Sequence, residues 1–274
     1  MRHSLSLLLP SAALAATLFA AAPASAQSAA LESGSSTWRR GSRPADASLS
    51  RFTFELRFGA YYPEVDEEFA GGATPFADYF GTGAQFYFGA ELDWTPIRIP
   101  YVGRLGPGFG WGFTTMSGAA RLTSGATDTE ESAGPKTSLT IHAMHASAVL
   151  RVDEISRRTI VPLVPYAKLG FGFGTWSSGT DTGTSKIGTD CNAATPTDCV
   201  VAEGLSIGPH IALGGMLGLN WLDPRSGAMA RENTGINQAY VFGEWMWSNL
   251  DSGIDKPAMH IGTSTWVLGL AVDM

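Results

Sequence analysis

The sequence predicts an eight-stranded, antiparallel, up-and-down transmembrane β-barrel, and three observations carry that prediction. Large apolar residues alternate with small or charged ones in eight separate stretches between Arg51 and Met274, the period of a strand whose two faces differ. The connections between these stretches alternate between long and short, as they do in outer-membrane barrels. Aromatic residues gather near stretch ends, at Tyr61, Tyr62, Trp94, Trp176, Trp221, Trp247 and Trp266, where interfacial girdles sit.

The N-terminus sets the compartment. Arg2 and His3 precede an apolar run from Leu5 to Ala22, and Ala24-Ser25-Ala26 fits the small-x-small cleavage pattern. Residues 1–26 read as a signal peptide cleaved before Gln27. Residues 27–50 are rich in Ser, Ala and Gly and carry Arg39, Arg40 and Arg43, the composition of a disordered periplasmic arm. Residues 51–274 form the barrel. The chain has 274 residues and a formal net charge of -7, which gives no support to nucleic-acid binding. Charged residues make up 16% of it, below the usual quarter. After the signal peptide the nearest approach to a spanning helix is Leu205–Leu222, but Pro209, His210, Asn220 and several glycines interrupt it.

The stretches follow in order. In RFTFELRFGAYY, Phe52, Phe54, Leu56 and Phe58 share one face, and Thr53, Glu55, Arg57 and Gly59 the other. In AQFYFGAELDW the apolar face is Phe86, Phe88, Leu92 and Trp94. In LGPGFGWGF the large residues alternate with glycines. TSLTIHAMHASAVLRVD is less regular: Leu139 and Ile141 fit one phase, Leu150 and Val152 the other, which suggests a β-bulge between them. VPYAKLGFGFGTW sets Leu169, Phe171 and Phe173 against Lys168, Gly170, Gly172 and Gly174. From Leu205 the residues Ile207, Ile211, Leu213 and Leu217 share a face. AYVFGEWMWSN sets Val241, Trp245 and Trp247 against Phe242 and Glu244. The closing STWVLGLAVDM sets Trp266, Leu268, Leu270 and Val272 against Asp273.

The connections cover roughly 63–83, 95–104, 116–136, 153–162, 177–203, 223–237 and 250–259. The first, third and fifth are long and polar, and lie outside the cell if the N-terminus is periplasmic. The sixth holds a short helix started at Asp223-Pro224. Cys191 and Cys199 fall in the third external loop, where a local disulfide staples an exported protein.

Alternation alone does not say which face meets lipid, and a soluble lipocalin-like carrier would turn its apolar face inward. The narrow interior of an eight-stranded barrel has no room for so many rings, so the apolar face meets lipid. The inward charges are then Glu55, Arg57, Glu91, Asp93, Lys168, Glu244 and Asp273. Unpaired they would be costly, so Arg57 and Lys168 are expected to pair with Glu55, Glu91 or Glu244. The outer half of the lumen shows Gly59, Gly89, Gly110, Gly112, Gly172, Gly174, Ser206, Gly208, Thr263 and Thr265, which suggests an open, glycine-lined vestibule above a charged plug.

The segments RFGAYYPEVD, ELDW, VPYAKLGFG, GLNWLDPRSGAMARENTGINQAYVFGEW and HIGTSTWVLGL resemble the small outer-membrane β-barrel proteins abundant in myxobacteria. The likeness runs from about residue 51 to Met274, and Asn220–Trp245 is its most specific part. It implies an outer-membrane location in a Gram-negative bacterium and carries over no functional residues. Such barrels usually end on an aromatic residue that the assembly machinery recognises, whereas here Met274 stands last.

Function is less legible. The leading expectation is a monomer with a structural or surface-interaction role through its loops, in contact with outer-membrane lipid and lipopolysaccharide, and with the barrel-assembly machinery during biogenesis. A narrow passive pore through the polar lumen is the first alternative. A lipid-modifying enzyme would need a serine beside a base, for which His142, His145, Ser147 and His210 are available, but no acid or motif accompanies them. The soluble carrier is the last. Glu64, Asp66, Glu67 and Glu68 form an acidic run in the first external loop that could hold Ca²⁺, though a solvated loop is expected. No metal or cofactor is assigned.

Overall fold

The structure is a computed structural model, and it describes residues 51–123, 129–159, 161–180, 183–187, 191, 199–253 and 258–274. The expected signal peptide and periplasmic arm lie outside the described residues. Eight strands form the wall: β1 (Phe52–Tyr61), β2 (Gln85–Trp94), β3 (Gly103–Thr123), β4 (Thr129–Arg151), β5 (Leu163–Thr180), β6 (Glu203–Gly218), β7 (Gln238–Ser248) and β8 (Thr263–Asp273). Each pairs antiparallel with its neighbours in sequence.

Closure comes from the two end strands. β8 pairs with β1 from Thr53↔Asp273 to Gly59↔Val267, which leaves the sheet no free edge along that seam. Met274 continues the seam: its N–H donates to the Phe52 carbonyl at 2.9 Å, and its own carbonyl accepts from Arg51 and Phe52. The stagger follows from the register. Pro165 of β5 partners Gly215, and the circuit continues through Gly243, Leu268, Phe58, Phe88, Phe113 and His142 to Thr175, also on β5. One turn therefore climbs 175 − 165 = 10 residues, a shear that tilts the strands and leaves only a side-chain-sized interior.

The alternation read from sequence is the alternation of the wall. Outward positions such as Phe54, Phe86, Leu92, Phe109, Leu169, Phe171, Leu213, Trp266 and Leu268 are exposed. No Asp, Glu, Lys or Arg occupies an outward position of the ladders at 52–60, 86–94, 105–115, 140–150, 163–175, 205–217, 239–247 or 264–274. Polar and charged side chains point inward instead, and many are fully buried. This is the reverse of a water-soluble protein.

Both ends differ from the sequence expectation in places. The base is the end where β1 starts and β8 finishes, and the mouth is the opposite end. The expected long connection at 116–136 is mostly strand, because β3 runs to Thr123 and β4 starts at Thr129. A spanning strand needs about 9–11 residues, whereas β3 has 21 and β4 has 23. The hairpin therefore projects well beyond the apolar wall at the mouth. The β-bulge expected within β4 is absent: its pairing with β5 is continuous from Thr137↔Thr180 to Arg151↔Tyr166. The one register shift in β3–β4 lies farther out, between Ala119 and Arg121.

Three short helices cap the connections: α1 (Pro75–Phe80) at the mouth, and α2 (Glu154–Arg158) and α3 (Pro224–Thr234) at the base. The signals at Asp223-Pro224 act as read. The Asp223 carboxylate accepts from the Arg225 and Ser226 N–H groups, both at 3.1 Å, and Gly235 ends α3 in the left-handed conformation, φ 74°. Cys191 and Cys199 are disulfide-bonded, with Cα atoms 4.9 Å apart.

Candidate functional site: a filled lumen

The lower lumen holds a continuous chain of alternating charges, and the strand pleat supplies it. Every second residue of each strand faces inward, so one charge on each of several strands converges on the axis. Arg57 of β1 donates to Glu91 of β2 and Glu244 of β7. Lys168 of β5 lies 2.9 Å from both Glu55 and Glu91 and 3.4 Å from Glu244. Arg151 of β4 reaches Glu55 at 2.9 Å, Asp93 at 2.6 Å and Asp273 at 3.2 Å. Arg104 of β3 completes the chain at the base, 3.1 Å from both Asp153 and Asp273.

All seven charges expected in the lumen are therefore inward, buried and joined. The sequence reading missed Arg104, Arg151 and Asp153. It also missed Thr53, which bridges Arg151 and Asp273 at 2.5 Å each. Arg104 falls in a stretch that reads as a connection, and Arg151 lies where the hydropathy changes phase. The remaining strand, β6, joins through histidines. His210 of β6 stacks on His145 of β4 with ring centroids 4.1 Å apart, and its Nδ1 lies 2.6 Å from the Ser248 hydroxyl. His145 Nε2 lies 3.2 Å from Glu91. All eight strands thus contribute to one polar network, which fixes their register.

The same geometry removes the lipid-side serine–histidine pair. His145, Ser147 and His210 face the lumen and are 4%, 7% and 1% exposed. Only His142 points outward, stacked on Trp111 with ring centroids 6.0 Å apart.

The upper lumen is not an open vestibule. An apolar cluster of Tyr61, Tyr87, Met116, Leu139 and Ile141 lines it, and four residues from the mouth connections fill it: Val65, Phe76, Leu250 and Ile261. The inward glycines are sockets for side chains of other strands and of the filling. A Cβ on Gly112 would meet the Tyr87 ring, one on Gly110 the His145 ring, and one on Gly172 or Gly174 the side chains of Leu250 and Ile261. The supposed bulge has the same origin. Leu139 and Ile141 face inward because the upper lumen is apolar, while Arg151 faces inward because the lower lumen is charged. Tyr61 likewise leaves the expected girdle, since it points inward and donates to the Ile261 carbonyl.

The first connection folds into the mouth instead of standing solvated. Asp66 accepts from the Phe76 and Ala77 N–H groups at 2.7 and 3.0 Å, which satisfies the start of α1. Glu68 accepts from the His260 N–H, and the Glu64 N–H donates to the Gly262 carbonyl at 3.0 Å. Burial, reinforced by the Glu67 carboxylate, holds Glu64 above its ordinary pKa, against the pull of His260.

Cavities lie at both ends of the described barrel. One of about 400 Å³ opens at the base between Arg98, Arg104, Arg157, Arg231 and Tyr240. The other, about 430 Å³ and mostly apolar, lies at the mouth between α1 and the β4–β5 wall, against Phe69, Tyr79, Leu139 and Trp176.

No protein-family model matches the chain, and no curated protein matches it. Among solved structures it is similar to Ail, the attachment invasion locus protein of Yersinia pestis, at 10% identity and a TM-score of 0.40, covering 82% of this chain and 97% of that one. It is similar to the outer membrane protein OprG of Pseudomonas aeruginosa at 11% identity and a TM-score of 0.42, covering 82% and 96%. Neisserial surface protein A matches at 11% identity and a TM-score of 0.38, covering 81% and 96%.

Proposed function

We propose that this chain is a monomeric, non-conducting barrel of a Gram-negative outer membrane, with a structural or surface-interaction role carried by its mouth. The single observation behind this reading is the division of the molecule. The wall is apolar and uncharged, the lumen is blocked by the ion chain and the apolar filling above it, and a polar hairpin of β3 and β4 projects past the wall. A filled lumen leaves the pore and carrier alternatives without the space they need. What remains for function is the mouth: the β3–β4 hairpin, α1, and the disulfide-closed connection between β5 and β6.

The apolar belt favours outer-membrane lipid as the partner of the wall, with lipopolysaccharide next to the projecting strands. Export through a cleaved signal peptide at 1–26 and insertion by the barrel-assembly machinery belong to the same reading. So does the likeness of Asn220–Trp245 to the myxobacterial barrels, which would make α3 and its Asp223 cap a family feature at the periplasmic rim.

Cell fractionation with protease shaving tests this. The chain is expected in the outer-membrane fraction, with faster gel mobility unheated than boiled. External protease on intact cells is expected to cut near residues 120–130 and to spare the base connections. Recovery in the soluble periplasm, or cleavage at α3 on intact cells, would sink the placement.

A further inference from the structure

We infer that Glu64, Glu67 and His260 form a binding site for a first-row divalent cation of the Zn²⁺ type, which latches the two mouth connections together. The three side chains come from two connections, Glu64 and Glu67 from β1–β2 and His260 from β7–β8. One ligand atom from each lies within 4.8 Å of the others. The His260 Nε2 is 3.5 Å from a Glu64 oxygen, and the Nδ1 is 4.0 Å from a Glu67 oxygen.

The imidazole supplies the second, independent sign of a ligand. His260 is 8% exposed, and its Nε2 is buried without a hydrogen-bond partner. The two ring nitrogens face different carboxylates, the buried Nε2 toward Glu64 and the Nδ1 toward Glu67, so the ring gives one nitrogen to the ion and the Glu67 side chain swings in to join it. Metal–ligand distances of about 2.0–2.2 Å need donor atoms only roughly 3.3 Å apart, so a small side-chain closure completes the site. Glu67 is free to make it, since its side chain is 67% exposed, while the backbone around His260 and Glu64 is already fixed by Glu68 and Gly262.

The donor types choose the ion. Imidazole with carboxylates suits Zn²⁺ and its neighbours, whereas Ca²⁺ takes oxygens alone. With three protein donors a fourth position stays open to water or to a group from outside the cell. The site ties the β1–β2 connection to the β7–β8 connection directly above the apolar filling, so occupancy would hold the mouth shut. It goes beyond the proposed function, and a negative result here leaves that reading standing.

The test is calorimetric titration of Zn²⁺ into the full mature chain, tag-free, chelator-stripped and folded in detergent. One Zn²⁺ per chain is expected, with affinity lowered at least tenfold in each of Glu64→Gln, Glu67→Gln and His260→Gln. Unheated gel mobility checks that each variant is still a barrel. In exchange experiments Zn²⁺ is expected to slow the amides of Glu64 and His260. No uptake, uptake indifferent to all three substitutions, or equal uptake of Ca²⁺ would each overturn the assignment.

Discussion

Replacing Arg57 with Met is expected to lower the unfolding free energy of the barrel by about 3–5 kcal/mol, the range seen when one partner of a buried ion pair is removed. The reason lies in what stays behind. Arg57 bridges Glu91 and Glu244, and all three are fully buried. Without the guanidinium, the two carboxylates are left with Lys168, which they share with Glu55, itself also paired with Arg151. Neutralising the orphans as well should recover most of the loss, because replacing a whole buried ionic group by neutral residues is often close to neutral. Arg57→Met combined with Glu91→Gln and Glu244→Gln is therefore expected to unfold near the wild-type midpoint. Urea titration of the vesicle-inserted barrel reads both variants. If the single and triple variants are equally unstable, the ion chain is not what holds the lower lumen.

Gly208→Leu is expected to displace the β7–β8 connection from the mouth. The β6–β7 ladder ends at His210↔Ser248 and resumes with one extra residue at Ile207↔Ser252, a β-bulge that turns the chain inward. Gly208 sits opposite that bulge. A Cβ there would overlap the Asn249 carbonyl and come within 3.4 Å of the Leu250 Cα. These are backbone atoms, so no rotamer change relieves the clash, and overpacking of this kind costs about 1–3 kcal/mol or more. Gly172→Ala is the contrast. Its Cβ would meet the tip of the Leu250 side chain at 2.8 Å, which can rotate away. Limited proteolysis and amide exchange across residues 249–253 should show strong deprotection for Gly208→Leu and little for Gly172→Ala. Equal protection in both would show that the connection does not fill the lumen as described.

Much of this was readable in the sequence, and for one physical reason. A barrel wall with an apolar outer face and a polar lumen alternates between the two, so Phe54-Glu55-Leu56-Arg57-Phe58 announces its own inward charges. The same rule failed where the lumen itself is apolar. Leu139 and Ile141 look like wall residues by hydropathy, yet they face a filling of Val65, Phe76, Leu250 and Ile261 that no local pattern announces. Misplacing them hid Arg151 on the same strand. The glycines read as inward but as empty space, because their partners, Tyr87 and His145 on other strands and Leu250 and Ile261 on a connection, are distant in sequence. His260 was illegible for the same reason: only the folding of two connections brings it to Glu64 and Glu67.

The ion chain and the apolar filling block the lumen between base and mouth, and conductance across a planar bilayer tests that block most directly. With the purified full-length barrel inserted in known orientation and number, the expected current is that of the bare membrane across the physiological voltage range. Steady, reproducible single-channel steps from the wild-type chain would contradict it.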